Sequence, residues 1–324
     1  MFTAIRPGTD ALIFFRDRLF VASMSRTTML RTATAAFLAV AAASCAFFCG
    51  AAPAAAQTQD ALTEAPEPSK LLDTGFRKLY ELNFKGARAD FVSYENLQPD
   101  DPLGTAAEAA SYLYEQFNAK GVFTSAFFLN DQKFLNGAAG SPSENRNDAF
   151  LSANRRARDM ATKQLKAKPR DPHSLLVLTM TDGMESDYDA LIVKKQMAGL
   201  GLMKQADAEA VALLAVDPSA QDANLALGAA NYIIGCLPSY KRAFLWFGGV
   251  HGDRDRGLAE MQLAADHGHY LQPFAKIFLA LAFEREHQPE RARALLVDLA
   301  NEFPANPLFG HELALVDHAP STNP

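Results

Sequence analysis

From Leu71 onward, apolar residues recur at three- and four-residue intervals. Leu72, Phe76, Leu79, Tyr80 and Phe84 share one face; Phe274, Ile277, Phe278 and Leu281 repeat the pattern, and Ala292, Leu295, Leu296, Leu299 and Ala300 follow it closely. That period predicts amphipathic helices, and no stretch alternates strictly enough to predict a strand. The chain is therefore expected to be all-α. Thr105-Ala-Ala-Glu108 and Ser141-Pro-Ser-Glu144 have the spacing of capping boxes, the second with Pro142 at the first helical position. Gly199, Gly201 and Gly248-Gly249 are expected between helices, as carboxyl caps.

The predicted helices come in pairs of one kind. In QPERARALLVDLANEFP (Gln288–Pro304) a turn opens a helix carrying Ala292, Leu296 and Leu299, and the preceding helix offers Leu279, Ala280 and Phe283. Small residues allow two helices to approach, large ones fill the gaps, and proline stops the second helix. The same frame gives Ala87, Phe91 and Tyr94 before Pro99. Gly257, Met261 and Ala264 follow the turn HGDRDRGL and close at Gly268, and weaker units keep Ala157 and Ala206 as their small residues.

A small residue, a large one four later and a closing proline resemble the second half of a tetratricopeptide repeat. GMESDYDALIVKK (Gly183–Lys195), ANYIIGCLP (Ala230–Pro238) and GDRDRGLAEMQLAADHGHY (Gly252–Tyr270) are similar to exported bacterial tetratricopeptide-like proteins of unassigned function. The resemblance implies an irregular α-solenoid of antiparallel helix pairs over residues 71–317, of roughly ten to twelve helices, since solenoid units stack on their neighbours. It also implies protein or peptide binding without a cofactor.

Only one stretch is apolar enough to enter a bilayer, ATAAFLAVAAASCAFFCGAA at residues 33–52, preceded by Arg26 and Arg31 and followed by Pro53-Ala54-Ala55-Ala56. A basic start, an apolar centre and an A-x-A end form a secretory signal peptide over residues 24–56, cleaved after Ala56. Residues 1–23 fit no part of that plan and read as an upstream extension, with translation starting at Met24 or Met29. Residues 57–70 read as a disordered linker and 318–324 as a disordered tail. The chain is expected to be exported to the periplasm, with membrane contact only through residues 33–52 if they remain uncleaved.

Composition narrows the function. The chain has 324 residues, 49% hydrophobic and 21% charged, with a net charge of −6, which suits a globular fold and not a nucleic-acid binder. Cys45 and Cys49 lie in the export segment, so Cys236 is left as a single thiol, expected buried and inert among Ile233, Ile234 and Leu237. His251, His267 and His269 with Asp253 and Asp266 lack metal-ligand spacing, so no metal is expected. FLNDQKFLNG (Phe128–Gly137) lacks the acidic ladder of a calcium loop. No phosphate-binding glycine motif, dinucleotide fingerprint or nucleophile elbow occurs, so neither a cofactor nor an enzyme activity is expected.

The segment richest in aromatics is YKRAFLWF (Tyr240–Phe247), which holds the single Trp. A helix apolar all round is expected to be buried, with a partner groove as the alternative. Candidate partner-binding residues are Tyr188, Asn231, Tyr232, Tyr240, Trp246 and Phe247. The function expected is that of an exported scaffold or adaptor holding a protein or peptide on its concave face. The alternative is a small-molecule or envelope-polymer module lined by Tyr232, Tyr240 and Trp246.

Overall fold

Aspartate or asparagine caps many of the helix starts in this chain, followed by proline at Asp101, Asp171 and Asn306. In the computed structural model, which describes residues 67–139, 144–247 and 249–318, α1 (Pro68–Tyr80) pairs with α2 (Phe84–Leu97). The Asn83 side chain accepts from the Gly86 amide at 3.0 Å to cap α2. Helix α3 (Pro102–Ala119) is capped by Asp101, whose carboxylate accepts from the Leu103 amide at 2.9 Å. Pro102 at the first turn has no amide to leave unpaired. Thr105 therefore lies inside α3, buried, and not at its start. The second expected capping box, at Ser141, lies outside the described residues, as do residues 1–66 and 319–324.

Helix α3 pairs with α6 (Glu144–Ala167) across an insertion of two short helices, α4 (Ser125–Phe128) and α5 (Asp131–Asn136). Helix α7 (Pro172–Asp187), capped by Asp171, runs into a π-helical turn (Tyr188–Val193) before pairing with α8 (Gln196–Val216). Gly199 and Gly201 are thus helical residues of α8, not caps. Helix α9 (Ala223–Cys236) pairs with α11 (Arg254–His267) across an inserted α10 (Ser239–Phe247), and α12 (Gln272–Arg285) pairs with α13 (Pro289–Glu302). The last described helix is α14 (Pro307–His318). The described residues hold fourteen α-helices, more than expected, because α4, α5 and α10 are additions to the pairs. Helix also starts at Pro68, inside the stretch read as linker.

Each pair packs as its spacing requires. Ala87, Phe91 and Tyr94 are buried, as are Ala157, Ala206, Met261, Ala264, Leu279, Ala280, Ala292, Leu296 and Leu299. Between α9 and α11 the backbones approach closely. A Cβ on Gly257 would stand 2.5 Å from the Tyr232 amide nitrogen, and one on Gly228 2.6 Å from that of Met261. The described residues form an all-helical solenoid of helix pairs, and none of these helices is long and apolar enough to cross a membrane.

The superhelix also returns on itself. Asn306 donates its amide to the Tyr80 carbonyl at 2.8 Å, and the Tyr80 hydroxyl donates to the Tyr270 carbonyl at 2.8 Å. The Ser125 amide donates to buried Glu312 at 3.1 Å, and Arg285 to the Phe128 carbonyl at 3.0 Å. Leu299, Phe303 and Phe309 accordingly join the same core as Leu79, Tyr80 and Tyr114.

Candidate functional site

With α12–α14 brought back against α1, α3 and α4, the concave side becomes an interior. It contains a chamber of about 700 Å³ walled by Phe117, Phe123, Phe127 and Phe128 on one side. Leu200 and Met203 of α8, Ile233 of α9 and Phe274 and Phe278 of α12 form the others. Met197, Tyr240 and Phe244 line its mouth and are themselves exposed. A smaller chamber of about 120 Å³ adjoins it, walled by Phe76, Tyr114, Met180, Met184 and Ala230. Ser186, Asp187, Met203, Ile233, Phe274 and Phe278 line both, which makes them the boundary between the two.

The π-helical turn supplies part of this wall. A π turn bonds each amide one residue further back than an α turn and displaces the side chains that follow it. Here it ends at Lys194, whose φ of 65° is left-handed, and the Lys195 amide donates to the Asp189 carbonyl at 2.7 Å. Two contacts hold the turn. The Ala138 amide donates to the Leu191 carbonyl at 2.8 Å, and the Ser186 hydroxyl donates to the Gly199 carbonyl at 2.8 Å. Gly199 is required there, since a Cβ would stand 2.8 Å from the Ser186 carbonyl oxygen.

The chambers are apolar but carry acids at their inner side. Asp187 lines both, and no side chain hydrogen-bonds or ion-pairs with its carboxyl; burial alone pushes its pKa up to about 7. The accessible surface it retains belongs to the chamber walls. Asp207, on the wall of the smaller chamber, is also pushed up to about 7, by burial first and by Glu260, against an opposing pull from Arg256. Asp222 differs. Burial raises its pKa too, yet its carboxylate accepts from the amides of His269 at 2.7 Å, Tyr270 at 3.1 Å and Leu271 at 3.2 Å, which makes it a structural clamp on the start of α12. Lys241, at the mouth, is the one basic residue lining either chamber among the described residues.

The sequence-predicted residues divide into two groups. Tyr240, Trp246 and Phe247 of α10 are 71%, 61% and 83% exposed, so the expectation of a buried helix is overturned. Being an insertion outside the pairs, α10 has no helix packed over its outer face among the described residues. Tyr188 and Tyr232 are core residues instead. Tyr188 packs its ring 5.1 Å from that of Phe150, and Tyr232 donates to the Ala282 carbonyl at 3.3 Å and to Glu286 at 3.1 Å. Asn231 donates to Glu260 at 2.7 Å. Of the three residues expected to line a small-molecule pocket, Tyr240 lines the chamber. Cys236 is half-buried, not buried; burial raises its thiol above the usual range, which keeps it a poor nucleophile.

Asp187, Met203, Phe244 and Phe274 were missed by sequence reasoning. Their only signal was indirect: Asp187 is an acid in a segment otherwise regular enough to pass as core. Among the described residues no group of three His, Cys, Asp or Glu side chains stands close enough to hold a metal.

No family model matches the chain, and no curated protein is similar to it. Among solved structures it is similar to a thermophilic TPR protein of Thermus thermophilus, at 15% identity over 77% of this chain and 98% of that one, with a TM-score of 0.42. So slight a likeness carries no argument about function, and the repeat assignment rests on the helix pairs themselves.

Proposed function

We propose that this protein is a binding module that takes an elongated, largely apolar molecule into the chamber enclosed by its helix pairs. The observation that supports this is the chamber itself: about 700 Å³, mostly apolar, with an open mouth. That volume falls within the range of about 300–1,000 Å³ typical of small-ligand sites. Apolar walls hold water poorly, so each methylene group that enters contributes about 0.8 kcal/mol. In this reading the chain is a carrier or sensor and not an enzyme. The reading includes export to the periplasm, which the signal-like pattern of residues 24–56 supports.

Titration with a neutral apolar dye, N-phenyl-1-naphthylamine, tests the proposal. Emission is expected to rise and saturate at one dye per chain, and dodecanol to displace it. Met203→Trp, which puts a ring where the chambers meet, is expected to weaken the dye at least tenfold while leaving the far-UV dichroism intact. Absence of saturable dye binding by the wild type, or undiminished binding by the variant, would count against the chamber.

A second reading, binding of a protein or peptide, draws on a separate observation: the outward aromatic face of α10. Exposed clusters of large aromatics are the usual anchors of protein interfaces.

A further inference from the structure

We infer that Asp187 makes the inner end of the chamber selective for ligands that carry an amine or ammonium group. The inference rests on the chamber being a ligand site and adds what the ligand must present at its buried end.

Three observations converge on it. First, Asp187 stands at the boundary of the two chambers, with surface open to both and no hydrogen-bonding or ionic partner among the described residues. Every other polar side chain that lines that boundary is satisfied: Ser186 is spent on the Gly199 carbonyl. Buried polar groups in folded proteins are almost always paired, so a lone carboxyl aimed into a ligand-sized space is a group waiting for its partner. Second, the surroundings are acidic. Asp207 and Asp222 line the adjoining small chamber, and no Lys, Arg or His lines it among the described residues. Third, the polarity is graded. Lys241, the sole basic side chain on the walls among the described residues, lies at the mouth beside Tyr240 and Phe244.

A cationic head placed at Asp187 supplies the missing countercharge where the low dielectric makes the attraction strongest. It also offers hydrogen-bond donors that the site lacks. A carboxylate or phosphate head placed there would meet like charge whenever Asp187 is ionised, and finds its countercharge at the mouth, near Lys241. An apolar chain with an amine at its inner end therefore satisfies the chamber along its whole length. A neutral hydroxyl supplies a donor but no charge and ranks between the two.

The test compares dodecylamine, dodecanol and dodecanoate, each below its micelle concentration at neutral pH, as competitors of the bound dye. In the wild type, dodecylamine is expected to bind at least tenfold more tightly than dodecanol, and dodecanoate more weakly than either. Asp187→Asn is expected to abolish the preference for the amine, bringing the affinities of dodecylamine and dodecanol within threefold of each other. An amine preference absent from the wild type, or retained in full by Asp187→Asn, would overturn the assignment. The wild-type ranking decides the matter even if the variant folds poorly. Failure of the dye and all three competitors would instead remove the chamber reading and this inference with it, an outcome distinct from binding without head-group preference.

Discussion

Trp246 shows how a residue's surroundings can defeat its own chemistry. Its indole is 61% exposed, with the Phe247 ring 5.4 Å away and the His251 ring 6.3 Å away, and no helix among the described residues covers it. Periodicity alone puts such a residue in the core, because a helix apolar on all sides loses most by facing water. Helix α10 escapes that rule by lining the chamber mouth with Tyr240, Phe244 and Leu245 while Trp246 and Phe247 face outward. Since this is the single Trp of the chain, its emission is expected to be red-shifted and readily quenched by iodide in the unliganded protein. Trp246→Ala is expected to change stability by less than about 1 kcal/mol, as surface substitutions do, against about 3–5 kcal/mol for a buried aromatic. A blue-shifted, quencher-resistant emission, or a collapse of the melting temperature, would show that the indole is packed after all.

At the scale of the element, the helix pair is the unit that the sequence spells out. Ala280 and Ala292 are both fully buried, on the facing helices α12 and α13, and their lack of bulk is what allows the axes to approach. Ala292→Leu is expected to destabilise the protein by about 1–3 kcal/mol by overpacking, read as a lower denaturation midpoint with an unchanged slope. An unchanged midpoint would contradict the packing of that pair. The same logic explains what was legible and what was not. Small and large residues four apart mark Ala87 and Phe91, or Gly257 and Met261, because both helices of a pair lie close in the chain. Short helices do not complete a hydrophobic period, so α4 and α5 left no comparable mark, while α10 was legible as a helix but not as an insertion. Thr105 has capping-box spacing, but Asp101-Pro102 provides a better start one turn earlier. The π turn was invisible, since shifting a hydrogen bond by one residue leaves composition and rough periodicity unchanged. The chamber was hidden for a different reason. Its walls come from α3, α4, α7, the π turn, α8, α9, α10 and α12, and most wall residues taken singly are indistinguishable from core.

For the molecule as a whole, what turns a solenoid's concave face into a chamber is the return of the last helices to the first. Asn306 is the clearest latch. Its side-chain oxygen accepts from the Leu308 amide at 2.9 Å, capping α14, while its amide group donates to the Tyr80 carbonyl at the end of α1. One buried side chain thus satisfies a helix start and a helix end that are 226 residues apart in the chain. Around it, the Phe303 ring lies 5.6 Å from that of Tyr80, tilted by 51°, and Arg77 donates to the Glu302 carbonyl at 3.0 Å. Asn306→Ala removes a cap and orphans a buried carbonyl, for a loss of about 2–4 kcal/mol. Because the helix pairs stack on their neighbours, that loss should fall on closure before it falls on the pairs. The variant is expected to keep its helical dichroism, to show a larger radius of gyration by small-angle scattering, and to release the bound dye several times faster. An Asn306→Ala protein as compact as the wild type, with the same dye release rate, would mean that contacts other than this latch keep the superhelix shut.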